Sequence, residues 1–506
     1  MSMMNKPSTE NDIYPRSVQN MEQILFQANE EGRLAEVVVR EVSKNVSMPA
    51  LWSCKKYLTA LPEQIYYGDT SEAMTLISVR ALIESLDDNL EGAKKYVALM
   101  GETPKHINPD TLTRRDWFRM VTELVMPYIS DDQFFRIVHC LQMINMTPVN
   151  SLTLSAGRPS ILNGFRDFTR YGRYLERYAD RIQQSIHVLY GDRAKGVYKI
   201  ALAEWYYQNN DSFHALVLVA GTIPFMEDKQ DVQCLFVAMA LQMRILLLNG
   251  QTQVAEPLVN KIRKKVIQER QEELMGSLDA LGAWGACYDG KLEIVKDWLE
   301  TKAPDENKDM FMMDVYAYLV KIKAYLYTGK NMKALVLAKK LGGILKKGKR
   351  YMDICECHML AAMACYKAES YIDMCDELEV AFGMAKRYGY IRLLADEGIC
   401  MVNMIRIYRE RRGADAFIDS ILPLAQEVAA RLPDYLKTPA EDCEPLTKTE
   451  KQVLYLMVQG MSYDEICRSL EKKLPTVKFH ASGIYRKLKV KNRQQAIKKA
   501  REIGLI

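Results

Sequence analysis

The 506-residue chain has no run of about 18 uninterrupted apolar residues, the length a membrane-spanning helix needs. Its longest candidates, 216–226 and 235–248, are broken by Pro224, Gln242 and Arg244. The N-terminal residues carry Glu10 and Asp12 and no apolar segment, which does not fit a secretory signal. Only 26 Gly and 17 Pro argue against collagen-like, sandwich-rich or low-complexity architectures. Eleven cysteines, an odd number scattered through helical pattern, do not make a disulfide framework, so a reducing cytoplasm is expected. The six histidines form no paired metal or HExxH motif, and there is no nucleophile elbow. The sequence therefore predicts neither an enzyme nor a bound cofactor or metal.

What is present is helical pattern and an uneven charge. The net charge is only +5, but residues 445–506 hold 14 Lys/Arg against 5 Asp/Glu, a net +9. The preceding 444 residues hold 55 Lys/Arg against 59 Asp/Glu, a net −4. A mildly acidic body with a basic terminal segment points to nucleic acid or an anionic surface. From Val18 to about Ala430 apolar residues recur at i, i+3, i+4 and i+7, which predicts an all-α body.

Turns in that body recur at a fixed interval. Leu248-Asn249-Gly250, Tyr288-Asp289-Gly290, Tyr327-Thr328-Gly329 and Tyr366-Lys367-Ala368 are spaced by 40, 39 and 39 residues, with a cousin at Tyr207-Gln208-Asn209. Each unit reads as helix, tight turn, helix: 238–248 then 254–266, and 315–327 then 332–345. Gly or Asn at the turn supplies a left-handed residue. Ala255, Val295 and Ala334 are compact enough for the second helix to pack closely. A period near 40 predicts stacked hairpins in a superhelix.

This layout resembles the tetratricopeptide-like (TPR-like) superhelix of MalT-type bacterial regulators, and Leu61-Pro62-Glu63 with a helix pair around 76–97 looks like its start. Such repeats bind effectors or partners, or act as inert spacers. Many regulators of that type also carry an N-terminal nucleotide-binding domain, and none is found here. The stretch 101–172, with Pro104, Pro109, Pro127, Pro148 and Pro159, breaks the rhythm. It is either a segment shaping a ligand pocket or a boundary between helical blocks.

Two patterns are read as decoys. Gly343 to Lys349 has phosphate-loop spacing, but Arg350 follows where Ser/Thr belongs and no strand precedes it. It is expected to be a basic turn. Cys355, Cys357, His358 and Cys365 suggest a metal, yet on a helix only Cys355 and His358 share a face, so core thiols are expected.

The terminal segment is the most specific. Thr447 with Glu450 and Ser462 with Glu465 form capping boxes, and Asn492 with Gln495 starts a last helix. Between them a link at 471–474 leads to a helix from about Pro475. Its Val477, Ala481, Ile484 and Leu488 form an inward stripe, while Lys478, Phe479, Ser482 and Arg486 lie opposite. That is what helix-turn-helix reading of DNA requires.

The residues Leu446-Thr447, Glu450, Val453-Leu454, Gly460, Glu465-Ile466, Leu470, Thr476-Val477-Lys478, His480, Ile484-Tyr485, Lys487-Leu488, Val490, Asn492-Arg493, Ala496 and Gly504-Leu505 resemble the LuxR-type (GerE-type) domain. The resemblance implies Lys478, Phe479 and Ser482 at base edges, with Thr476, Arg486, Lys487 and Arg493 at phosphates or flanks. Lys472-Lys473 departs from the usual apolar residue and Ser cap, leaving Leu474 or Pro475 to fill the turn's core. Lys489 replaces the usual Gly, so the reading helix is expected to end differently.

The sequence thus implies a flexible tail at 1–17, a TPR-like sensor region at 18–431, a linker at 432–444 and a DNA-binding domain at 445–506, with its helix-turn-helix near 462–481. The expected function is a cytoplasmic, nucleoid-associated bacterial transcription regulator. Its expected partners are double-stranded promoter DNA, a second copy of the chain on DNA, RNA polymerase and an unidentified small-molecule or protein effector, with no membrane. The alternative is a TPR-like protein–protein adaptor with a weak or non-specific DNA-binding tail.

Overall fold

The computed structural model describes residues 16–42, 51–52, 54–68, 70–101, 109–126, 132–133, 135–137, 139, 158–164, 166–307, 310, 312–413, 415–432, 436 and 446–502. Among these residues every regular element is helical. None of their helices is long and apolar enough to cross a membrane.

The body opens with α1 (Arg16–Glu30), α2 (Leu34–Val42), α3 (Lys55–Ala60), α4 (Ser71–Leu86), α5 (Leu90–Gly101), α6 (Pro109–Val125) and α7 (Ala179–Tyr190). The expected early helix pair is α4 and α5. Five hairpins follow: α8 (Ala194–Gln208) with α9 (Ser212–Asp228), α10 (Val232–Leu248) with α11 (Ala255–Gln268), α12 (Met275–Tyr288) with α13 (Leu292–Thr301), α14 (Val315–Tyr327) with α15 (Asn331–Leu345), and α16 (Tyr351–Lys367) with α17 (Tyr371–Tyr388). The body closes with α18 (Ile391–Ala395), α19 (Gly398–Arg412) and α20 (Ala416–Arg431). A separate terminal module holds α21 (Lys448–Val458), α22 (Tyr463–Leu470), α23 (Leu474–Lys487) and α24 (Arg493–Glu502). Body and module have distinct hydrophobic cores.

The repeat has a half-period that composition does not show. Left-handed residues stand at Asn210, Gln230, Gly250, Arg270 and Gly290, and again at Gly329, Lys349, Glu369 and Gly389, 20 residues apart within each run. Each ends one helix. At the end of α10, Gln251 N–H donates to Leu246 C=O and Gly250 N–H to Leu247 C=O, the paired bonds that satisfy a helix's last carbonyls. Ser370 and Glu369 do the same to Cys365 and Tyr366 at the end of α16.

The expected phase was correct at Gly250, Gly290 and Gly329. It was one residue early in the other two units, where Asn210 and Glu369, rather than Asn209 and Ala368, adopt the left-handed state. There the helix runs one residue past its tyrosine, to Gln208 and Lys367. Ala255, Val295 and Ala334 are buried where the second helices pack.

The first helix of each hairpin is buried nearly all round, as α10, α14 and α16 show, while α11 buries only the stripe Ala255, Val259, Ile262 and Val266. First helices therefore line the inside of the coil. The coil returns on itself. The Tyr207 hydroxyl donates to Asp396 Oδ2 at 2.5 Å, and Lys323 donates to Glu397 Oε1 at 2.6 Å. Arg431 reaches Asn249 at 3.1 Å. Gly343 lies inside α15, so the phosphate-loop spacing is helix followed by turn. Cys355, Cys357 and Cys365 are buried in α16, as expected for core thiols, and His358 Nδ1 meets Glu377 at 2.6 Å.

Among the described residues of the irregular stretch, 158–164 and 166–169 form a strap that runs along the inner helices and is held by charges distant in sequence. Asp353, fully buried on α16, accepts from Arg350 Nε at 2.6 Å, Arg158 Nη1 at 2.6 Å and Asn163 Nδ2 at 2.8 Å. Glu204 on α8 accepts the amides of Ile161 and Leu162 at 3.0 and 2.9 Å. Arg166 reaches Asp88 and the Ser85 carbonyl, tying the strap to α4. Arg158, Pro159, Ser160, Leu162 and Thr169 line a cavity against the inner helices.

Removing the Asp353 carboxylate leaves two buried guanidinium groups without their shared counter-charge. Asp353→Ala should cost the body about 3–5 kcal/mol. It should also open the strap first, read as faster hydrogen exchange at 158–169 than in α10 or α14. Uniform loss of protection across the body would contradict a strap held by this residue.

Candidate nucleic-acid interface

The terminal module is built on short-range caps. Thr447 Oγ1 accepts from Glu450 N–H at 3.3 Å while Glu450 Oε2 accepts from Thr447 N–H at 2.7 Å. Ser462 and Glu465 repeat this at 3.4 and 2.7 Å. Both sequence-predicted capping boxes are therefore present. Asn492 Oδ1 accepts from Gln495 N–H at 2.9 Å, and the Gln495 side chain reaches back to Lys491 N–H at 2.9 Å. Val453, Leu454, Met457, Ile466, Val477, Ala481, Ile484 and Leu488 are buried, so the inward stripe of α23 packs as its periodicity predicts. The Tyr463 and Tyr485 hydroxyls meet at 2.7 Å and fasten α22 to α23.

One carboxylate does two jobs. Besides capping α21, Glu450 Oε2 accepts from Lys487 Nζ at 2.7 Å, crossing from the first helix to the end of α23. Burial alone would raise its pKa, but the bonds from Lys487 and Thr447 outweigh it and hold the group below 4.5. Gly483 makes room for this contact, since a Cβ there would lie 2.6 Å from Glu450 Oε1. Sequence reasoning missed both features. A glycine inside a helix costs about 1 kcal/mol relative to alanine, and that was the available signal of a close approach.

The turn differs from the sequence expectation in two places. Glu471 is left-handed, and Lys472 N–H donates to Cys467 C=O at 3.0 Å. Leu474 and Pro475 are both exposed, so neither fills the turn's core. Lys473 precedes α23 with no side-chain cap. Lys489 takes the left-handed conformation itself, with Val490 N–H on Tyr485 C=O at 2.9 Å. Helix α23 therefore ends with the geometry a glycine would give.

Lys478, Phe479 and Ser482 all lie exposed on one side of α23, with Thr476 and Arg486 exposed along the same helix. Phe479 is 74% exposed, an aromatic that folding leaves in water. The other two expected flanking residues face inward in part. Lys487 is bonded to Glu450, and Arg493 Nη2 donates to the Met457 carbonyl at 2.8 Å near the end of α21.

Residues 444–500 match the family model described as bacterial regulatory proteins, luxR family. The HTH-type transcriptional regulator MalT of Serratia proteamaculans (strain 568) is 24% identical over 242 residues, covering 42% of this chain and 25% of that protein. MalT of Yersinia enterocolitica is 24% identical over 230 residues, 41% of this chain and 25% of that protein. MalT of Yersinia pestis (strain Pestoides F) is 34% identical over 89 residues, 18% of this chain and 9% of that protein. The chain thus spans about a quarter of the length of the first two relatives. The terminal module is a LuxR-type helix-turn-helix domain, and the helical body is MalT-like.

Two substitutions test the module's construction. Gly483→Ala should gain about 1 kcal/mol from helix propensity alone. Displacing the Glu450 carboxylate should reverse that sign, giving a net loss of about 1–2 kcal/mol for the bonds disturbed. Lys489→Gly relieves a left-handed lysine and should stabilise the module by about 0.5–1 kcal/mol. Thermal melting of the full chain followed by hydrogen exchange in α21 and α23 reads both. A stabilised Gly483→Ala would show that the Glu450–Lys487 contact contributes little.

Proposed function

We propose that this chain is a sequence-specific DNA-binding regulator of transcription. In this reading Lys478, Phe479 and Ser482 meet base edges in the major groove. A lysine donates to guanine O6/N7, a phenyl ring packs on a thymine methyl, and a serine donates or accepts. Thr476 and Arg486 contact phosphates. Lys487 and Arg493 add positive field at the rim, while the Lys487 bond to Glu450 ties α23 to α21 and the Arg493 bond to the Met457 carbonyl ties α24 to α21. The observation that carries the proposal is the exposed side of α23 with its unpacked Phe479, in a domain of the LuxR type.

The division into a body at 18–431, a linker at 432–444 and a DNA-binding domain at 445–506 belongs to the same proposal. The described part of the 1–17 tail, Arg16 and Ser17, is already helical in α1. Much of the linker lies outside the described residues. Leu436, however, is buried against the body, and its carbonyl accepts from Lys367 at 2.7 Å. The body's part is to sense a small molecule or protein and pass that state to the terminal module. A pair of copies on symmetric half-sites, contact with RNA polymerase and work in the cytoplasm at the nucleoid complete the reading. In LuxR-type domains the fourth helix forms the dimer contact, and by that resemblance α24 would carry it here.

The test is binding of the full chain to genomic fragments, with a selected site and a scrambled one compared across a salt series. Lys478→Ala with Ser482→Ala should reduce the preference for the selected site by about 10- to 100-fold, the cost of one or two lost base contacts. Arg486→Ala should weaken both fragments alike and flatten the salt dependence. Binding with no sequence preference, unchanged in the double variant, would favour an adaptor with a non-specific basic tail.

A further inference from the structure

The strap and the inner helices line a partly open cavity of about 60 Å³. Leu162, Leu241, Leu281 and Met352 supply apolar wall. Three polar groups in its lining are left without hydrogen-bond partners among the described residues, and they come from three different inner helices.

The first is Arg244 on α10. Its guanidinium stacks over the Trp284 ring at 4.7 Å and makes no hydrogen bond among the described residues. The nearest carboxylate oxygen, Asp396 Oδ2, is 4.0 Å away and already accepts the Tyr207 hydroxyl. The second is the Tyr316 hydroxyl on α14, fully buried and unpartnered. The third is Gln208 Oε1, buried at the end of α8. Buried polar groups in folded proteins are almost always satisfied, so the Tyr316 hydroxyl and Gln208 Oε1, buried beside a half-buried arginine that has only a distant counter-charge, call for an occupant.

The neighbouring charges do not fill that role. Arg158 is neutralised by Asp353 at 2.6 Å and Glu356 at 2.9 Å. Glu204 turns its carboxylate to the strap amides, and burial pushes it up to about 7. Arg244 is therefore the cation in the lining that lacks a close counter-charge. Water could satisfy a hydroxyl or an amide, but it supplies no charge.

We propose that this cavity binds a small organic hydroxycarboxylate. Its carboxylate accepts from Arg244 and the Tyr316 hydroxyl, its hydroxyl donates to Gln208 Oε1, and its short carbon chain lies against Leu241 and Leu281. A water needs roughly 10–15 Å³ on this measure, so the space suits an anion of two to four carbons. The inference rests on the reading of the body as a sensor and names the ligand class that body takes. Because the strap forms one wall and is tied to α4, α8 and α16, the ligand would lock the coil's two ends together.

The test is calorimetry and thermal shift on the full chain with glycolate, L-lactate, D-glycerate and L-malate, with propionate, glycerol and inorganic phosphate as controls. At least one hydroxycarboxylate should bind and raise the melting temperature of the body. Propionate should bind at least fivefold more weakly than the matching hydroxy acid, and glycerol not at all. Arg244→Gln should lower affinity at least tenfold. Tyr316→Phe, which keeps the ring's packing, should lower it about fivefold, so the result does not hinge on the folding of the arginine variant. No binding by any hydroxycarboxylate at 10 mM, equal binding by glycerol, preference for phosphate, or unchanged affinity in both variants would overturn the proposal. Sequence-specific DNA binding alongside any of those results would leave the regulator reading intact. Ligand binding without any effect on DNA affinity would instead break the link between cavity and module.

Discussion

The left-handed residue that ends nine of the ten hairpin helices, all but α13, is the constraint on which the body depends. Spaced at 20 residues, these residues keep the helices similar in length and the turns between them alike, so each hairpin stacks on the last with a similar rotation. Five of the nine are Asn, Gln, Arg, Lys or Glu, and each such residue costs about 0.5–1 kcal/mol more than glycine would there, least for Asn. The cost is tolerated because the paired bonds of the turn satisfy carbonyls that would otherwise be orphaned. Regular stacking then closes the coil, and closure is what brings Tyr207 to Asp396 and Lys323 to Glu397.

Closure also explains why charged groups accumulate inside a protein whose outer helices are ordinarily amphipathic. The inner helices have no face left for water, so Asp353, Glu397 and Lys323 are paired or networked rather than solvated. Each pair is costly to desolvate and contributes little net stability, but breaking one is expensive. Such a network defines a single register for strap and coil, because any slip would leave a buried charge unmatched.

The parts of this structure that were legible in the sequence were those held by local contacts. The capping boxes join residues three apart, the stripe on α23 follows one helix period, and glycine marked three of the turns. The phase slipped at Asn210 and Glu369 because no glycine stood at those positions and the helices ran one residue further. The strap read as an irregular, proline-interrupted stretch because its partners are distant: Asn163 and Asp353 are 190 positions apart. Lys487 was placed on the DNA side with Arg486, its neighbour. Its partner Glu450 is 37 residues earlier, and only packing shows that the ammonium turns inward.

Tether length connects body and module. The buried Leu436, with its carbonyl held by Lys367, fixes the chain to the body near α16, and the module's core begins at Leu446. Ten residue steps reach at most about 35 Å when fully extended. That is also about one turn of B-DNA, the spacing of adjacent half-sites read by paired helix-turn-helix units. In the proposed complex, with the module seated in the major groove, the body's anchor at Leu436 would stay within about one helical turn of the module's core. At that range the body's net −4 and the DNA repel each other only within a Debye length, about 8 Å at physiological salt, so the tether is long enough to separate them. In the proposed paired state it is also short enough that a change in how two bodies associate would alter which half-site spacings their modules can span together.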